Sequence, residues 1–64
     1  MDEQTAAETA AGASKTAGIR YVVYVPDQGR AVFNAAQMKT WGPFVHVEAV
    51  FVAGVRVDMA RATA

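Results

Sequence analysis

Few residues in this chain have the types and spacing that chemistry needs. His46 and Glu48 stand two apart in a β-branched stretch, so on a strand their side chains point the same way, as an acid–base pair or two metal ligands would. His46 is the sole histidine, there is no cysteine, and the nearest other acids, Asp27 and Asp58, have no metal-ligand spacing. The pair therefore reads as a polar patch on a strand. Gly12-Ala13-Ser14-Lys15-Thr16 has some residue types of a phosphate loop, but it lacks the glycine before lysine and the preceding strand. Ser14 is the only serine, and no nucleophile elbow surrounds it. The expectation is a chain that is not an enzyme, with no catalytic residue, no metal site and no cofactor. The aromatic residues are the remaining candidates. Tyr21, Tyr24, Trp41 and Phe44, with Arg20 and Arg30 nearby, have the make-up of either a base-stacking surface or a set of interface anchors.

Composition narrows the choice. The chain has 64 residues, with 14 Ala, 10 Val and no Leu, and its six basic and six acidic side chains cancel. A neutral chain does not grip nucleic acid by bulk charge. The longest run of apolar residues and glycine, Ala49 to Val55, is far too short to span a membrane. Residues 1–18 have no basic segment followed by an apolar core, so they do not read as a signal peptide, and the expected location is a virion or the cytoplasm.

The elements that must position these residues divide the chain near Gly18. Residues 1–18 hold nothing apolar larger than Ala except Met1, which predicts a flexible Ala/Thr-rich arm that orders only against a partner. Residues 19–64 hold the larger apolar side chains and read as a small β-rich domain. Ile19 to Val25 is a strand, Pro26-Asp27-Gln28-Gly29 a turn, and Arg30 to Phe33 a return strand. Asn34 followed three residues on by Gln37 predicts a capping box, and Ala35 to Trp41 a two-turn helix ended by Gly42-Pro43. Phe44 to Val52 and Val55 to Met59 are two more strands about an Ala53-Gly54 turn. The predicted class is mainly β with one short helix, in the order β-β-α-β-β, as a small antiparallel sheet or barrel-like module. The helix is too short to be a crossover between parallel strands, which needs a dozen or more residues.

Both long strands are apolar on two faces. Strict alternation puts Ile19, Tyr21, Val23 and Val25 on one face of the first, and Val45, Val47, Ala49 and Phe51 on one face of the third. An antiparallel sheet with one solvated face alternates cleanly, so the second face is expected to meet a partner. The predicted protein interface is Tyr21, Val23, Tyr24, Trp41, Phe44, Val45, Val47 and Phe51.

Two resemblances follow from the same stretch. Arg30, Val32, Ala35-Ala36, Gly42 and the Val-rich strand from Val45 to Val52 resemble small head-associated, decoration-type proteins of tailed phages. That resemblance implies a non-enzymatic virion component that docks on a capsid-like lattice or self-assembles. Gly29-Arg30, Val32-Phe33, the helix ending at Gly42 and Val47-Glu48 resemble the swapped-hairpin regulators and antitoxins of the AbrB and MazE type. This alternative implies an interlocked dimer with DNA contacts at Arg30 and Lys39, and with Arg20 basic and nearby. A small inhibitor or adaptor that adds a strand to a host protein is a third reading.

Overall fold

The computed structural model describes residues 1–57. Its elements run α1 (Glu3–Ala17), β1 (Arg20–Val25), β2 (Gly29–Phe33), α2 (Ala35–Trp41), a 3-10 turn (Gly42–Phe44), β3 (His46–Val52) and β4 (Val55–Arg56). The four strands form one antiparallel sheet in the order β2-β1-β3-β4. The sheet is open, not a barrel, and the expected β-β-α-β-β order holds with a helix added before it. The last residues of the predicted final strand, Asp58 and Met59, lie outside the described residues.

The first 18 residues correct the expectation of a flexible arm. Glu3–Ala17 is a fifteen-residue helix. Asp2 caps it, its carboxylate accepting a hydrogen bond from the Thr5 backbone N–H at 2.7 Å. Glu3 in the first turn and Lys15 in the last complement the helix dipole, and Gly18 ends the helix at φ 93°. Ala6, Ala10 and Ser14, spaced i, i+4, i+8, form a buried stripe along one side. Alanine has the highest helix propensity, and its small side chain lets the helix axis lie close to the sheet. A helix this short is marginal alone; here it is held because it seals Val22, Ala49 and Phe51 beneath it.

The turns follow local chemistry. The Gln28 N–H donates to the Val25 carbonyl at 2.9 Å, with Pro26 at the first central position and Asp27 at φ 72°. This is a type II turn, the class in which Pro presets the first corner. Ala53 and Gly54 both have positive φ, as a two-residue β3–β4 hairpin of the right twist requires. The hairpin tip is tied to α1: the Gly54 N–H donates to Ser14 Oγ at 2.8 Å, and Ser14 Oγ–H donates to the Ala11 carbonyl at 2.9 Å.

Every hydrogen-bonded strand pair is antiparallel, yet α2 is part of a crossover. β2 and β3 both run against the central β1, so they are parallel to each other. Phe33, at the end of β2, pairs with Tyr21, whereas His46, at the start of β3, pairs with Tyr24 near the opposite end of β1. Residues 34–45 span that length, long enough because β1 stands between the strands they join. This corrects the expectation that so short a helix cannot be part of a crossover between parallel strands: β1 lies between the two strands joined.

A bulge corrects the predicted faces. Val22 pairs with Ala49 but Val23 pairs with Val47, so Glu48 is the extra residue on β3. The alternation resets there. Ala49 and Phe51 share the α1 face with Val22, whereas Val47 and Val50 share the opposite face with Val23 and Tyr21. The four residues Val45, Val47, Ala49 and Phe51 are therefore split between the two sides of the sheet.

Candidate functional site

The α1 face carries the charged side chains of the strands. By register, Arg20, Arg30, His46 and Arg56 belong to it, and the bulged Glu48 turns toward it as well. Arg30 Nε donates to Glu48 Oε1 at 2.6 Å, reaching from β2 across β1 to β3. Tyr24 is the β1 residue between them, paired with both Arg30 and His46. The hydrogen bond to Glu48, reinforced by its charge, raises the pKa of Arg30 against a smaller desolvation effect. Glu48, on the same side of β3 as His46, thus closes an ion pair with Arg30. Arg56 Nη2 donates to the Glu48 carbonyl at 3.3 Å, so the β4 side of the bulge is also held. Arg20 is spent locally, its Nη1 donating to the carbonyls of Ala17, Gly18 and Ile19 at 3.2, 3.4 and 2.8 Å. It serves the carbonyls left unpaired at the end of α1.

His46 is exposed, and the partner of Glu48 is Arg30 rather than the imidazole that the i, i+2 spacing placed beside it. Among the described residues no group of three His, Asp or Glu is placed to hold a metal ion. A shallow open depression of about 350 Å³ lies between Ala17–Arg20 and Asn34–Ala36. Its one charged lining residue is Arg20, already engaged with backbone carbonyls. Lys39, the third basic residue of the DNA reading, is exposed in the last turn of α2.

The opposite face is different. By register it carries Tyr21, Val23 and Val25 of β1, Gly29, Ala31 and Phe33 of β2, Val47, Val50 and Val52 of β3, and Val55 of β4. No charged side chain occupies a strand position there. The α2 connection must cross this face, since α1 covers the other. It touches β1 and β2, and Val47, Val52 and Val55 of the β3–β4 half are exposed. The capping box that starts α2 is present as expected, with the Gln37 N–H donating to Asn34 Oδ1 and the Asn34 N–H to Gln37 Oε1, each at 2.8 Å. Trp41 closes α2 and Phe44 closes the 3-10 turn, and both are exposed.

The eight predicted interface residues therefore separate. Trp41, Phe44 and Val47 are exposed along the open face and its crossover. Tyr21 and Val45 are half-buried. Val23 is fully buried on that face, beneath the connection. Tyr24 is exposed on the α1 face, and Phe51 is buried there in the core. Val52 and Val55 were not singled out and belong with the exposed group. Their alternation about Ala53-Gly54 carried the signal. Comparison with protein-family models, curated proteins and solved structures finds no match to this chain.

Proposed function

We propose that this protein is a non-enzymatic structural component that works docked into a larger assembly through the open face of its sheet. One observation carries the reading: among the described residues, Val47, Val52 and Val55 stand exposed on a sheet face that has no charged strand position. Exposed apolar side chains that share one sheet face are the kind of surface that marks an interaction site. The polar groups of the α1 face support it from the other side, because Arg20, Arg30 and Glu48 are used to close the fold. The docking element is the sheet face itself. The expectation that residues 1–18 reach out to a neighbour gives way to their role as α1.

The resemblance of Arg30 to Val52 to phage head-associated proteins makes a capsid-like lattice the first assembly to test. The swapped-hairpin DNA reading has less support, since two of its three basic residues are engaged within the chain. The test is sedimentation of tagged full-length protein produced alongside the particles of its native source. The protein should travel with a capsid-sized particle in fixed proportion to the major subunit, and Val47→Glu should leave it behind. Wild-type protein that never leaves the top of the gradient would overturn the reading.

A further inference from the structure

We draw no further inference here: the strongest candidate, the surface patch of exposed Val47, Val52 and Val55 on the sheet face opposite α1, belongs to the docking surface already proposed, and nothing in the structure shows what covers it.

Discussion

On one face of the sheet, Val22, Ala49 and Phe51 lie sealed beneath the alanines of α1; on the other, Val47, Val52 and Val55 stand exposed. The sealed face is covered by a helix with no large side chain in its packed stripe. Phe51 supplies the bulk from the sheet, and Ala6 and Ala10 supply closeness. The open face has the larger side chains and the poorer cover. In this chain residue size does not mark the interior. What marks it is whether a neighbouring element can approach closely enough to exclude water, and a helix faced with alanine does so better than a seven-residue helix arched across the sheet.

The contrast is sharpest between two adjacent residues. Phe51 is buried under α1 and Val52, next in sequence, faces the other way and is exposed. Truncating a buried phenylalanine costs about 3–5 kcal/mol, against a total stability of roughly 3–10 kcal/mol for a domain of this length. Phe51→Ala should therefore remove a third or more of the chain's stability, about 3–5 kcal/mol. Val52→Ala should cost no more than about 1 kcal/mol in the dilute monomer, where its side chain is already half in water. Urea unfolding of both variants at low concentration checks this. Equal losses would mean that the two faces are not different in kind.

A smaller effect probes how the sealed face is fastened at its edge. Ser14 is buried and accepts the Gly54 N–H at the tip of the β3–β4 hairpin. A Cβ on Gly54 would meet the Lys15 stem at 2.8 Å, so hairpin and helix are in close contact there. Ser14→Ala removes the acceptor and leaves a backbone donor facing a methyl group, at a cost of about 1–2 kcal/mol. Amide exchange should accelerate at Gly54 more than at Val22 or Val23 in the centre of the sheet. Uniform acceleration would show that Ser14 supports the whole fold rather than this junction.

The parts legible in the sequence are those governed by a few neighbouring residues. Pro26 and Asp27 make their turn, Asn34 and Gln37 make their capping box, and Ala53-Gly54 makes its hairpin. Three of the four strands lie within a residue or two of their expected ends. The helix α1 was equally present in local signals: Asp2 before Glu3, Lys15 near Gly18, and small residues at 6, 10 and 14. It is missed when a segment is judged by how much apolar surface it owns, because α1 contributes by covering surface that belongs to the sheet. The bulge at Glu48 is of another kind. In a strand apolar on both sides, alternation leaves the register weakly specified, and one extra residue reverses every face beyond it. Beside it Glu48 reaches Arg30 across an intervening strand, a contact eighteen residues apart that no local pattern announces. This is why Phe51 and Val47 look like neighbours in the sequence and lie on opposite sides of the fold.

The smallest expected effect separates the two faces by pH. The Asp2 carboxyl is held below its ordinary value of 3.8, chiefly by the hydrogen bond from the Thr5 backbone N–H. A carboxyl depressed in the folded state stabilises that state fully above its ordinary pKa, and the contribution is lost as pH falls through the lower folded value. The cap of α1 should thus weaken in acid, at the edge of the sealed face. Asp2→Asn keeps a side-chain oxygen for the Thr5 N–H and has no proton to gain. The helical signal of the wild-type chain should therefore fall further than that of Asp2→Asn between about pH 5 and pH 2, with the other carboxylates common to both. Trp41 closes α2, outside α1, so its emission should be the same in the two proteins across that range. Superimposable acid transitions in the helical signal would show that the cap does not contribute to holding α1 on the sheet. A difference that appears in Trp41 emission as well would show that the two faces are coupled through β1, and that sealing one of them is a condition for presenting the other.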